Sequence, residues 1–170
     1  HTIMQEMWKQ LFNLSKTSWL LDLHWLSSVI SLTATQWIAY GLLMIIFERI
    51  FNMVFFSPPG GNALLYEHVF WFYSHPAIYI MILPAFGAEL EIISHFARKP
   101  LFAYRWVVWA FALIVALSFV VWAHHLFTSG MGESLHGPFM ILTELISIPT
   151  GIVFLSALGT LWRSKVRLKV

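Results

Sequence analysis

Apolar residues fill four long stretches of the chain, and polar or turn-forming residues separate them. Each stretch has about the 20 residues that an α-helix needs to cross a bilayer. Backbone polar groups in lipid must be satisfied within the segment, so the spans are predicted to be helical. We therefore predict an all-α membrane protein with four transmembrane helices, at residues 26–47, 64–88, 104–127 and 137–162.

Composition supports this fold class. Hydrophobic residues make up 59% of the chain and charged residues only 11%, whereas a soluble domain carries about 25% charged residues. The net charge is only +2, and we expect a lipid bilayer rather than a nucleic acid as the chain's partner. There are no cysteines, which excludes disulfides, zinc–thiolate sites and iron–sulfur clusters.

The basic residues predict the orientation of the spans. When the segments between spans are assigned alternately to two sides, nine of the ten basic residues share one side, and only Arg49 lies on the other. Cytoplasmic segments carry such an excess. We therefore expect residues 1–25 to form an N-terminal segment, and 163–170 a basic tail, on the cytoplasmic or matrix side.

The chain starts at His1, and its first residues lack the order of a secretory signal peptide. This start fits a processed product, a segment of a longer chain, or one piece of a split subunit.

Ionisable side chains inside the spans are costly and by default mark function. The cases to explain are His75, His124, His125 and Glu144. If the second helix runs inward and the third outward, the three histidines lie at similar depth and converge when the two helices are neighbours. Consecutive residues of an α-helix point about 100° apart, so the helix must loosen or end for both His124 and His125 to reach one ion.

Three neutral imidazoles in a dry site suit copper or zinc. Oxygen ligands are scarce, which argues against calcium or magnesium. The alternative is that each histidine forms a hydrogen bond with a neighbouring helix and binds no metal. His75 and Tyr79 are four residues apart on one helical face, where the phenol is either a proton or electron donor or an ordinary interfacial or core tyrosine.

Several longer motifs carry a family resemblance. FWFYSHPAIYIMILPAFG (70–87), WAHHLFTSGM (122–131) and SIPTGIVFLSALGTLW (147–162) resemble the central helices of subunit I of the haem–copper oxygen reductases. ERIFNMVFFSPPGGNALLYEHVFWF (48–72) is similar to the segment before the family's first copper ligand. The resemblance implies that the four spans correspond to helices five to eight of a twelve-helix bundle.

The resemblance also implies roles for single residues. His75, His124 and His125 match the three copper ligands of the oxygen-reducing centre. Tyr79 matches the tyrosine that the family joins covalently to the first of these histidines, and that donates an electron and a proton. Trp122 matches an aromatic side chain packed beside the metal site, and so is a candidate cofactor contact.

Departures from the family pattern concern the proton pathways. Many members have a glutamate where this chain has Ala77, and a subclass without it carries a Tyr-Ser pair, here Tyr73 and Ser74. These two are candidate proton carriers, or else side chains packed between helices. Thr150 matches a pathway threonine, but the pathway lysine three residues later is Val153.

Glu144 is the only acidic residue in the fourth span. It either takes over proton transfer or pairs with a basic group on a helix outside this chain, and the pairing is favoured slightly.

The resemblance implies the copper-site half of a terminal respiratory oxidase, which reduces oxygen to water at a haem–copper centre and couples this to proton translocation. The resemblance also implies that this chain contacts the haem, and that the axial ligands of the haem come from outside this chain. The implied partners are the other helices of subunit I, other oxidase subunits, and a cytochrome or quinol donor in an energy-transducing membrane. The alternatives are a non-catalytic membrane scaffold or assembly piece, and a relative that reduces nitric oxide, against which Tyr79 argues.

Overall fold

A computed structural model describes the backbone of residues 19–166 and the side chains of residues 25–166. All the regular secondary structure of the described part is helical and none of it is strand, which confirms the predicted all-α fold class. The elements, in chain order, are α1 (Trp19–Phe51), α2 (Ala63–Ala97), α3 (Tyr104–Ser118), a 3-10 helix (Trp122–Leu126) and α4 (Glu133–Leu161).

Three of the described helices are long and apolar enough to cross a membrane, judged by length and composition. These segments are Trp25–Phe51, Ala63–Ala97 and Glu133–Leu161, with mean hydropathies of 1.7, 1.6 and 1.9. The α3 helix has 15 residues and is about 22 Å long at 1.5 Å per residue. It is shorter than the hydrocarbon core of a bilayer, which is about 30 Å thick, so the 3-10 helix and its flanking turns continue this segment.

The third predicted span, 104–127, is therefore not one continuous α-helix. The Ser118 hydroxyl donates a hydrogen bond to the Val115 carbonyl (2.7 Å), a local bond that competes with the α-helical pattern. The next backbone bonds are of the tighter three-residue kind, from the Val120 N–H to the Leu117 carbonyl (2.9 Å) and from the His124 N–H to the Val121 carbonyl (3.3 Å).

The other helices extend beyond the predicted spans. The α1 helix begins at Trp19 rather than at residue 26, and α2 continues to Ala97 rather than ending at residue 88. Residues 1–18 and 167–170, which make up most of the predicted N-terminal segment and half of the predicted tail, lie outside the described residues. The membrane boundaries and the sides of the termini remain predictions.

The connection from α1 to α2 is held by side chains near its two ends. One carboxylate oxygen of Glu48 accepts the N–H groups of Phe55 (2.8 Å) and Phe56 (2.9 Å). Asn62 caps the start of α2 by accepting the Leu64 N–H (2.8 Å). Gly61 is required here, because a Cβ atom at this position would lie 2.4 Å from the Phe55 carbonyl carbon.

The connection from α2 to α3 is fastened to the end of α4. The Phe102 N–H donates to the Thr160 hydroxyl (2.9 Å), and the Ser156 hydroxyl donates to the Phe102 carbonyl. The Phe102 ring also lies over Gly159, where a Cβ atom would be 2.6 Å from the ring. These contacts set the position of α3 against α4.

The helix α2 contacts all the other described helices. The α1 helix packs along α2, α3 packs along α4, and the 3-10 helix packs on α2. A main apolar cluster joins all four α-helices and includes Ile30, Leu83, Ile114 and Val153. A smaller cluster contains Ala123 and Leu126 of the 3-10 helix together with Met131, and side chains of α2 and α4 pack against it. This packing holds the segment that carries His124 and His125.

Candidate metal centre

Three histidine side chains lie together where the 3-10 helix meets α2. His75 is on α2, and His124 and His125 are consecutive residues of the 3-10 helix. Each offers one ring nitrogen, and these three atoms all lie within 4.8 Å of one another. His75 is buried, with 6% of its surface exposed, and the other two are half-buried.

The rings are close enough for their nitrogens to share an ion. The centroid of the His75 ring lies 4.6 Å from that of His124 and 5.3 Å from that of His125. His75 Nδ1 and His125 Nε2 are 3.2 Å apart. Two imidazole nitrogens bound to one ion at about 2.0–2.1 Å are themselves about 3.2–3.6 Å apart, so this pair already has the required separation.

The donor set fits copper. It consists of three imidazole nitrogens without a carboxylate, which suits copper or zinc rather than calcium or magnesium. Among the described residues, His75 Nε2 is a buried ring nitrogen without a hydrogen-bond partner. Such an unsatisfied group is unusual in a folded protein and often signals a missing bond. The nitrogen that faces His125 Nε2 is His75 Nδ1, so Nε2 is free for a bond to another group.

The two consecutive histidines lie on the 3-10 helix and not on a continuation of α3. With about three residues per turn, consecutive side chains of this helix start about 120° apart, so the helix type alone does not bring the two rings together. The His124 and His125 ring centroids are 4.3 Å apart. The α-helix ends at Ser118, before the histidine pair, as expected if both rings approach a single ion.

Tyr79 lies one helical turn beyond His75. The two ring centroids are 5.0 Å apart with an interplanar angle of 64°. The tyrosine is half-buried and packs against the main apolar cluster. Its phenol ring is thus held beside His75 on the same face of α2.

Two side chains that the sequence did not indicate contact the histidines. The Thr143 hydroxyl on α4 lies 3.1 Å from His124 Nδ1. The Trp71 indole stacks on the His125 imidazole, with centroids 3.7 Å apart and planes 8° from parallel. Trp71 precedes His75 by four residues on the same helical face, a spacing that could have pointed to it; no local signal distinguishes Thr143.

Trp122 packs against aromatic side chains and His68, which lie outside the three-histidine cluster. Its ring packs edge-on against Phe72 (4.8 Å) and Phe139 (5.4 Å). Its indole N–H donates to His68 Nδ1 (3.3 Å). His68 thus has a defined partner and ties the start of the 3-10 helix to α2.

The candidate proton carriers lie on two helices, with Tyr73 and Ser74 adjacent on α2, and Thr150 and Glu144 on α4. Tyr73 is half-buried against the main apolar cluster, and Ser74 is also half-buried. The Thr150 hydroxyl donates to the Ile146 carbonyl (2.9 Å) within α4. The Glu144 side chain is exposed on α4, and no hydrogen bond within the described side chains connects these four residues to the histidine cluster.

The sequence matches the family described as cytochrome c and quinol oxidase polypeptide I over residues 2–170. The chain belongs to this family. It is 47% identical over 143 residues to cytochrome c oxidase subunit 1 of Synechocystis sp., an alignment that covers 84% of this chain and 26% of that protein. It is 41% identical over 155 residues to the alternative cytochrome c oxidase subunit 1 of Bradyrhizobium diazoefficiens, covering 85% and 26% respectively.

The chain therefore spans about a quarter of the length of the curated relatives it matches. Family membership confirms the resemblance seen in the sequence motifs. It also agrees with the apolar helices of the structure, which identify an integral membrane protein. Haem and copper are the cofactors that this family implies.

Proposed function

We propose that this chain forms the copper-binding part of the catalytic subunit of a membrane-bound terminal oxidase. In this function, four electrons and four protons reduce one dioxygen molecule to two water molecules. The observation that carries the proposal is the convergence of one buried and two half-buried imidazoles from two separate segments, with their ligand atoms within 4.8 Å of one another. Membership of the oxidase family supports copper over zinc as the ion.

In the proposed site, His75, His124 and His125 hold the copper ion. Together with a haem iron, the copper supplies the redox chemistry of dioxygen reduction. The side chains around the ligands orient them: Trp71 stacks on the His125 ring and Thr143 contacts His124. Among the residues whose side chains are described, the remaining histidines are His68, His95 and His136, and each lies near an end of α2 or α4 and not in mid-helix. We therefore assign the haem's axial ligands to parts of the subunit outside this chain.

Tyr79 is the proposed local donor of a proton and an electron. Its ring lies beside His75, and His75 Nε2 has no hydrogen-bond partner among the described groups. This nitrogen is the one available for the covalent bond to Tyr79 that the resemblance implies. Forming that C–N bond releases two protons and two electrons, and dioxygen, the substrate of the proposed reaction, can accept them.

Tyr73, Ser74 and Thr150 are the proposed proton carriers in this chain. Each has a hydroxyl within a membrane-crossing helix, where few other groups can carry a proton. For Glu144 we favour an ion pair with a basic side chain of another subunit I helix. Its exposed position on α4 supports this role, since a lone carboxylate facing lipid is costly.

The proposed partners are the remaining helices of subunit I, further oxidase subunits, and a cytochrome or a quinol as electron donor. The proposed location is an energy-transducing membrane, either a prokaryotic plasma membrane or a mitochondrial inner membrane, with both termini on the cytoplasmic or matrix side.

The first test is the metal content of the purified oxidase complex that contains this chain. We expect one copper at this site, lost in both His75→Ala and His124→Ala, with low-spin haem retained. His95→Ala is the matched control, because His95 is exposed near the end of α2 and lies outside the cluster. Unchanged copper in His124→Ala would refute the assignment and favour a non-catalytic scaffold, and zinc in place of copper would refute the oxidase chemistry.

A further inference from the structure

The Thr143 hydroxyl on α4 makes two contacts. Together they determine which ring nitrogen of His124 carries the hydrogen. Thr143 Oγ1 lies 2.7 Å from the Phe139 carbonyl oxygen, to which it donates. The same oxygen lies 3.1 Å from His124 Nδ1. A threonine hydroxyl has a single hydrogen, and a carbonyl oxygen can only accept. With that hydrogen on Phe139, Thr143 can only accept a hydrogen bond from His124.

The distances agree with this direction of donation. A separation of 2.7 Å is typical of an O–H···O bond, whereas 3.1 Å is within the usual range for N–H···O. His124 Nδ1 is therefore the ring nitrogen that carries the hydrogen. A neutral imidazole has one N–H, so the free electron pair is on Nε2.

We propose that Thr143 is a positioning residue that selects the tautomer and the ring orientation of His124, so that Nε2 faces the shared ion. This inference deepens the proposed function and rests on it. The partner of the second ring nitrogen commonly fixes a metal-ligating histidine in this way. Threonine suits the position because its branched Cβ restricts the side chain to few rotamers within a helix.

The effect on the metal follows from the loss of this acceptor. Removing a hydrogen-bond partner of a metal ligand typically lowers metal affinity about 10–100-fold. Thr143→Val keeps the branched shape and removes the oxygen, and Thr143→Ala removes it without adding bulk. Thr143→Ser keeps the hydroxyl, so we expect its copper affinity to stay within about threefold of that of the wild type.

The test measures copper retention by the purified oxidase complex during titration with a copper(I) chelator. We expect Thr143→Val and Thr143→Ala to release copper at about 10–100-fold lower chelator concentration, while low-spin haem content and thermal midpoint stay near wild type. Thr33→Val is the matched control, since the Thr33 hydroxyl also donates to a carbonyl four residues earlier, Val29 (2.8 Å), on a different helix.

The outcomes distinguish a failure of the proposed role of Thr143 from a failure of the proposed copper-site function. Copper bound equally by wild type, Thr143→Val and Thr143→Ala would overturn the role of Thr143 alone. Equal loss in Thr143→Ser and Thr143→Val would also overturn it, because the methyl group and not the hydroxyl would then matter. A wild-type complex without copper would overturn the proposed function itself. Loss in the valine and alanine variants with rescue by serine supports the inference.

Discussion

Each imidazole of the cluster is contacted by a different neighbour. The Trp71 indole stacks on His125, the Thr143 hydroxyl meets His124, and the Tyr79 ring lies beside His75. The neighbours come from α2 and α4, so the orientation of the rings depends on helix packing as well as on the local backbone. Rigid support of this kind limits how far the ligands must move to bind an ion.

His68 is a residue for which sequence position and structure lead to different interpretations. Its place near a helix end favours a solvated interface histidine, yet its Nδ1 accepts the indole N–H of Trp122 (3.3 Å). The bond joins α2 to the first residue of the 3-10 helix. Its strength therefore affects where His124 and His125 lie.

We predict that His68→Leu destabilises the complex by about 1–3 kcal/mol, because the half-buried indole N–H of Trp122 loses its acceptor. His68→Asn retains most of the stability, since its side-chain oxygen lies close to the position of Nδ1. The thermal midpoint and the copper content of the two variants measure this effect. Equal behaviour of His68→Leu and His68→Asn would contradict the role of the hydrogen bond.

Among single residues, the sequence predicts the side chains that are costly to place inside a membrane, and it does not predict the contacts of ordinary ones. Histidines inside a membrane span require an explanation, so the convergence of His75, His124 and His125 could be predicted, and the structure brings them together. Thr143 and Trp71 belong to residue types that are common in membrane helices. Their contacts depend on which face of α4 meets the 3-10 helix and on ring rotamers, and neither is visible in a local pattern.

Among the elements, the α3 segment departs most from its sequence pattern. Its apolar run predicts a helix through residue 127, but the α-helix ends at Ser118 and a 3-10 helix follows. Apolar periodicity cannot distinguish these two conformations in a short segment. The adjacent histidine pair was the better signal, since two consecutive side chains of a regular α-helix point about 100° apart.

The loop between α1 and α2 gives a test at the scale of the element. We predict that Gly61→Ala destabilises the complex by about 1–3 kcal/mol, because the new Cβ atom would lie 2.4 Å from the Phe55 backbone. The thermal midpoint of the purified complex measures the change.

The neighbouring glycine is the control for this prediction. At Gly60 a Cβ atom would lie 3.5 Å from Val54, which is an ordinary contact. Gly60→Ala is expected to stay within about 0.5 kcal/mol of the wild type. Equal destabilisation by both substitutions would show that the loop tolerates no side chain for a reason other than the close approach at Gly61.

Viewed as a whole, the described bundle exposes large apolar side chains on its outer faces. Leu32, Ile141 and Trp162 are 74%, 71% and 72% exposed. The chain also spans only about a quarter of the length of its relatives. Both facts are explained if lipid and the other helices of subunit I cover these faces. The fold class could be predicted from the four apolar stretches and the composition, whereas the packing of α1 on α2 and α3 on α4 depends on contacts that no single span reveals.

The distribution of basic residues predicts which ends of the helices share a side of the membrane. The sequence contains no cysteine, so a single introduced thiol reports its own location in this chain. In sealed vesicles whose outer face is the non-cytoplasmic side, we expect a membrane-impermeant maleimide to label Ser57→Cys and Ser129→Cys. It should label Lys165→Cys only after detergent is added.

The wild-type chain serves as the unlabelled control. Ser57, Ser129 and Lys165 are all exposed, so differences in labelling report the side of the membrane rather than burial. Labelling of Lys165→Cys in sealed vesicles would contradict the predicted orientation.

The separation of the histidines along the chain also sets an order of events during biosynthesis. His75 and His125, whose nitrogens lie 3.2 Å apart, are 50 residues apart in sequence. A ribosome that has just delivered His75 to the membrane has therefore made only one third of the ligand set. The complete set exists only after α3 has been inserted and the 3-10 helix has docked on α2. Under the proposed function, a copper donor must then act on an already folded bundle, and it finds the histidine pair beside the exposed segment 128–130.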